Sequence, residues 1–151
     1  MRFWVKPFAQ LSASELYALM RLRQEVFVVE QNCAYLDADG HDAPCIHVWC
    51  TADEDPRLLA ALRVVPPGEK YAEASIGRVV SASFARRTGA GRAVVERGLV
   101  ELERAFGVVP VRISAQQYLE RFYRGFGFET VSAPYDEDGI PHIEMLRPAL
   151  R

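Results

Sequence analysis

The chain has 151 residues, half of them hydrophobic and a quarter charged, with a formal net charge of −2. That size predicts a single domain over residues 1–151 with its own core, since such a chain buries roughly 70% of its unfolded surface without a disulfide or metal staple. The charge argues against a nucleic-acid partner, which would need an excess of Lys and Arg. No apolar run reaches the about 18 residues that cross a bilayer, so no membrane partner is expected.

The N-terminal residues, Met1 to Pro7, carry no apolar signal core behind them. An opening strand is followed by a capping box, Ser12-Ala13-Ser14-Glu15, in which each end residue can bond the other's amide. A helix should run from there to about residue 29, with Leu16, Leu19, Met20, Val26 and Phe27 on one apolar face. Arg23 falls in the middle of that face. A guanidinium there cannot lose its proton, so it must find an acidic partner or carry its head out to water. The nearest cluster of acids beyond the helix is Asp37, Asp39 and Asp42, in a segment whose turn residues predict a surface loop.

Residues 45–51 and 58–65 read as an antiparallel pair joined across Asp53-Glu54-Asp55-Pro56, and residues 74–82 as a further strand. A second helix follows to about Phe106, with Val95, Leu99, Leu102 and Phe106 on one face and Gly107 as its C-terminal cap. Then come a strand at 108–114, a short helix at 116–124 stopped by Gly125, and closing strands at 126–132 and 140–146. This order fits a mixed sheet covered by helices. The three cysteines, Cys33, Cys45 and Cys50, make no closed disulfide set and no Cys-x-x-Cys pair, so reduced thiols in a cytoplasmic protein without a metal are expected.

The stretch with most chemistry is strand, glycine loop, helix: residues 76–81, then Arg86-x-x-Gly89-x-Gly91, then the second helix. Glycines let the backbone approach a ligand, and a helix N-terminus offers unpaired amides at the positive end of its dipole. A pyrophosphate suits such a site. A P-loop fails, because Gly91 is followed by Arg92-Ala93, and a dinucleotide fingerprint fails, because its third small residue would be Val94. A second stretch, Phe122-Tyr123-x-x-Phe126-Gly127-Phe128, places a phenol beside a helix end.

These two stretches together resemble the GNAT acetyltransferase superfamily. Residues 26–33, Asp37-x-Asp39-Gly40-x-Asp42 and residues 137–143 are similar to its ElaA-like branch, so the likeness spans nearly the whole chain. The resemblance implies an α/β (α+β) fold with a mostly antiparallel sheet splayed between strands 4 and 5, and acetyl-CoA as co-substrate in the opening. The segment Val79, Val80 and Ser81 would run along the pantetheine arm. Arg86, Arg87, Thr88, Gly89, Ala90, Gly91 and Arg92 would hold the pyrophosphate. Gln116 stands where the family often has Asn, and no Pro precedes Arg86. Tyr123 would also touch the cofactor and protonate the departing thiolate, a phenol being well matched to a thiol leaving group. Candidates for the base are His142 and Glu30, with Asp39, Glu137 and Asp138 behind them.

The activity implied is N-acetyl transfer to a primary amine of a small molecule or protein by direct attack. A catalytically silent fold that binds CoA and regulates a partner is the alternative, and Tyr123 speaks against it. An acyl-homoserine-lactone synthase ranks lower, since the chain is short for one and has no tryptophan near Phe27. A homodimer is compatible with this reading.

Overall fold

A computed structural model describes residues 1–149. Strand β1 (Arg2–Pro7) leads through a 3-10 turn to helix α1 (Ala13–Arg23). The capping box forms: the Glu15 amide donates to Ser12 Oγ at 3.1 Å and the Ser12 amide to Glu15 Oε1 at 2.9 Å. The helix does not stop at Arg23. It widens into a π-helical turn over Gln24–Glu30, where the Gln31 amide bonds the Val26 carbonyl at 3.0 Å. After a loop come β2 (Ile46–Ala52), β3 (Asp55–Val65) and β4 (Ser75–Ser81). The β2–β3 turn is tighter than expected, since Asp55 and Pro56 already belong to β3.

Helix α2 (Ala90–Phe106) is followed by β5 (Val111–Gln116), α3 (Glu120–Arg124), β6 (Glu129–Thr130), β7 (Tyr135–Glu137) and β8 (Ile140–Arg147). Gly107 caps α2 with φ +84°, as its position predicted. Three expectations need correction. The strand expected at 108–114 starts only after Pro110, which has no amide to give a ladder. The helix expected at 116–124 opens as a 3-10 turn and is α-helical only from Glu120. The strand expected at 126–132 pairs with β8 only at Glu129 and Thr130, because Gly127 takes φ +92° and turns the chain. The short β7 lies in a segment that carried no strand signal.

Two antiparallel sheets result, ordered β1-β2-β3-β4 and β5-β8-β6, with β7 also on β8. They touch through one parallel bridge, Ala74 to Val111, supported by the Arg112 amide on the Ala74 carbonyl at 3.0 Å. Beyond that bridge β4 and β5 form no ladder, which is the expected splay between strands 4 and 5. Period-two alternation sorts the first sheet's side chains. Val48, Cys50, Leu62, Val64 and Ile76 face α2 and the second sheet. Trp49, Ala61 and Val80 face Leu19, Leu22 and Val26 of α1 and its extension.

Candidate active site

The splay opens a cleft of about 720 Å³ between β4 and β5. Its wall on the β4 side owes its shape to one residue. Opposite Ala61 and Arg63 of β3 stand Val80 and Gly77, so β4 carries one extra residue, and Arg78 lies at φ +48° within the resulting bulge. A bulge bends its strand and breaks the ladder locally, here at the edge of the sheet that faces the opening. Val79, Val80 and Ser81 line the cleft directly beyond it.

At the end of β4 the chain turns through Arg87 (φ +65°) and Gly89 (φ +88°) into α2. Thr88 Oγ1 donates to the Ala85 carbonyl at 2.5 Å and fastens this turn. The first intrahelical bond is Ala93 to Gly89, so the amides of Ala90, Gly91 and Arg92 have no helical acceptor. With the dipole of a 17-residue helix behind them, they make a turn suited to an anion. A Cβ on Gly91 would stand 2.9 Å from Ser81 Oγ, so any side chain there would have to move that hydroxyl. Arg86 and Gly91 line the cleft; Arg87, Thr88, Gly89, Ala90 and Arg92 form the turn beside it. The Arg92 guanidinium lies over the Phe126 ring at 5.3 Å and near Phe122 at 6.0 Å, so it ties α2 to α3. The gap between the strands, the free amides and Arg86 fit an elongated thioester with a pyrophosphate, so acetyl-CoA suits the residues present.

Tyr123 also lines the cleft. Its residue is 6% exposed, with its ring edge-on to Phe122 and Phe128. Burial, helped by Tyr118, pushes its pKa well up, so the phenol keeps its proton through the neutral range. Among the described residues no group bonds its hydroxyl, which leaves that proton free to be given away.

His142 stands opposite Gln116 in the β5–β8 ladder, on the cleft side. Its Nδ1 is 2.7 Å from the Ile140 carbonyl, which can only accept, so Nδ1 carries the hydrogen. Nε2 lies 3.1 Å from Glu137 Oε2. Tyr135 stacks on the ring, and its hydroxyl bonds Ser114 Oγ. Glu30 lines the cleft too, but its carboxylate is bonded to Arg86 at 2.6 Å. Next to it, Gln31 accepts from Gln116 Nε2 at 3.3 Å across the opening. The π-helical turn thus sends consecutive residues to both walls. Leu36 and Tyr118, 77% and 75% exposed, stand on the rim.

Arg23 does find the loop. It is 3% exposed and bonds Asp37 at 2.8 Å and Asp42 at 2.7 Å. Arg63 pairs with Asp39 at 2.7 Å and Asp42 at 2.9 Å. Arg78 completes the cluster on Asp37 at 2.9 Å and Asp39 at 3.2 Å. Burial alone would raise the Asp39 carboxyl, but bonds from Arg63 and the His41 amide, with the charges of Arg63 and Arg78, hold it well below the usual carboxylate range. Asp39 is therefore a paired structural anion and a poor base. The segment expected as a surface loop folds back as an ionic cluster on Arg23. Arg63 and Arg78 were missed as its partners. Arg63 showed only as a charge inside an apolar strand, and nothing local announced the Arg78 bulge. Lys70 and Tyr35, which also line the cleft, had no sequence signal beyond the rarity of lysine.

A smaller cavity, about 530 Å³, lies over Trp4 and Trp49 on the α1 face and contains none of these groups. Among the described residues no cluster of three or more His, Cys, Asp or Glu is placed to hold a metal ion, and no helix is long and apolar enough to cross a membrane.

A splayed sheet with an anion-binding turn beside it defines an N-acyltransferase of the GNAT class. The chain belongs to that family: the acetyltransferase (GNAT) domain model matches residues 51–147. It is 42% identical over 139 residues to a UPF0039 protein of Synechocystis, covering 92% of this chain and 90% of that one. It is 37% identical over 143 residues to protein ElaA of Escherichia coli, covering 95% and 94%. The crystal structure of an acyl-CoA N-acyltransferase from Pseudomonas aeruginosa superposes with a TM-score of 0.90 at 44% identity, over 97% of this chain and 99% of that one. E. coli ElaA superposes at 0.89 with 36% identity, over 97% and 98%.

Proposed function

We propose that this protein moves an acetyl group from acetyl-CoA to a primary amine by direct attack in the β4–β5 cleft, and that it works in the cytoplasm. One observation carries the reading: a single cleft is lined by the edge of β4, by the turn into α2 and by a buried tyrosine whose hydroxyl has no partner among the described residues. Free, buried thiols at Cys33, Cys45 and Cys50 suit a reducing compartment.

The thioester supplies an activated acyl carbon. Backbone groups of Val79 and Ser81 hold its arm, and the 86–92 turn holds the pyrophosphate. Gln116 reaches the same arm from the β5 wall. His142 Nε2, held by the Ile140 carbonyl through Nδ1, takes the proton from the attacking amine, and Glu137 stabilises the charge that forms. Tyr123 gives its proton to the sulfur. Glu30, bonded to Arg86, positions that arginine for the phosphates.

Thermal-shift titration with acetyl-CoA and with CoA tests the binding step. At a hundredfold excess over Kd the fold should gain about 2.7 kcal/mol. Release of CoA thiol with a panel of amines then tests transfer. An unresponsive melting temperature refutes the reading, and binding without thiol release for any amine leaves a silent fold.

A further inference from the structure

The chain holds two lysines, Lys6 and Lys70, against sixteen arginines. Lys6 is held by both oxygens of Glu15, at 3.0 and 2.8 Å, and does not line the cleft. Lys70 does, in company with Asp39, Arg78, Glu137 and His142. It sits in the connection between β3 and β4. That connection is held on either side by the Gly68 amide on the Tyr71 carbonyl at 2.7 Å and by Glu69 on His41 at 2.8 Å. Among the described residues Lys70 has no carboxylate within ion-pair distance. Its ammonium lies over the face of Tyr71, 5.6 Å from the ring centre.

An arginine never gives up its proton and cannot act as a nucleophile, whereas a lysine can. Lys70 is accessible to water as a residue, yet protein crowded about its ammonium lowers its pKa. Burial is the main cause; Glu137 and Asp39 oppose it, and Arg78 and Arg63 add to it. Water on the open side limits the effect. The cleft thus contains one amine of its own, on the same lining as His142 and Glu137 and, among the described residues, free of the ion pair that would tie it down.

We propose that Lys70 is an internal acyl acceptor, so that the protein acylates itself in its own active site. The inference rests on the acyl-CoA reading of the cleft. The neutral Lys70 Nζ attacks the acyl carbon and forms the N–C bond while the C–S bond breaks. The sulfur takes the Tyr123 proton, and the proton lost from Nζ passes to His142 Nε2 beside Glu137. Nε-acyl-lysine and free CoA thiol result, with no oxidant or further reactant. The acyl-lysine carries no charge and occupies the acceptor end, so the modified chain should bind external amines less well.

The test is incubation of the whole chain with acetyl-CoA and no amine, followed by intact mass and peptide mapping, beside a thermal shift with CoA. One acetyl group should appear on Lys70, about a hundredfold or more faster than on Lys6, because a bound thioester beside a held amine reacts at high effective concentration. Lys70→Arg should stay unlabelled at that peptide. Tyr123→Phe should slow the labelling roughly 10²–10⁴-fold, since only the proton donor is lost. If CoA stabilises the fold but Lys70 is labelled no faster than Lys6, the self-acylation idea is overturned and the cleft reading stands. Labelling of Lys70 that Tyr123→Phe leaves unchanged is chemical acetylation and overturns it as well. If CoA does not stabilise the fold, both fall.

Discussion

In the proposed reaction Tyr123 and His142 divide the proton work by environment. Burial against Phe122 and Phe128 keeps the phenol protonated, which makes it an acid. The Ile140 carbonyl fixes the imidazole tautomer and leaves Nε2 toward the cleft. Tyr123→Phe keeps the ring packing and removes only the donor. Turnover should fall about 10²–10⁴-fold with the Kd for CoA unchanged, read from steady-state kinetics and a binding titration. Unchanged turnover, with chemistry shown to limit the rate, takes Tyr123 out of the mechanism. At this scale the sequence was informative where one residue contradicted its surroundings. Arg23 stood out on an apolar face, and burial ties it to Asp37 and Asp42. Arg63 contradicted its strand in the same way, but its partner lies 24 residues away, and separation in sequence does not reveal such a contact. Arg78 was invisible, because a left-handed arginine in a strand has no composition cue.

The element that does most for the cleft is the turn from β4 into α2. Its parts were readable because each has a local cause: glycine where φ is positive, a helix start with free amides, an apolar stripe along α2. Arg87 is the exception, taking φ +65° without being glycine. The π-helical turn over Gln24–Glu30 was readable as helix but not as π-helix, since the apolar spacing of one short turn does not tell the two apart. Gly91 offers a direct test of the close approach. In Gly91→Val the branched side chain meets Ser81 Oγ, where even a Cβ would be at 2.9 Å. Overpacking should cost roughly 1–3 kcal/mol in a urea melt. Displacement of the Ser81 backbone should also abolish the thermal shift with CoA. A variant that still responds to CoA at wild-type concentrations would show that the turn does not approach the ligand.

Across the whole molecule, two apolar clusters on either face of the first sheet supply the bulk of the packing, and the three-arginine, three-aspartate cluster closes the gap between α1, β3, β4 and the 37–42 loop. That cluster makes stability depend on pH in a direction the shifts fix. In Asp42, as in Asp39, burial would raise the carboxyl, but bonds from Arg23 and Arg63 lower it. Groups depressed in the folded state contribute fully above their unfolded pKa, near 4 for Asp, and that contribution is lost as pH falls through the folded value. His47 acts in the same direction from higher pH. Burial lowers its pKa against the pull of the Asp42 carbonyl, so protonation of the unfolded chain begins to cost stability below about pH 6.5. Stability should therefore decline gently from pH 6.5 and steeply below pH 4. Arg23→Met removes one cation from this cluster and leaves Asp37 with Arg78 and Asp42 with Arg63. Because those partners remain, the loss at pH 7 should be near the lower end of the range for a broken buried pair, about 3 kcal/mol. In the variant Asp42 has lost a cation that depressed it, so less stability is left to lose on acidification, and the gap to wild type should narrow toward pH 3. Urea melts of both proteins from pH 7 to pH 3 measure this. A loss under about 1 kcal/mol at pH 7 would mean the guanidinium contributes no more than an exposed ion pair, and a gap that stays constant with pH would mean that Arg23 does not hold Asp42 ionised.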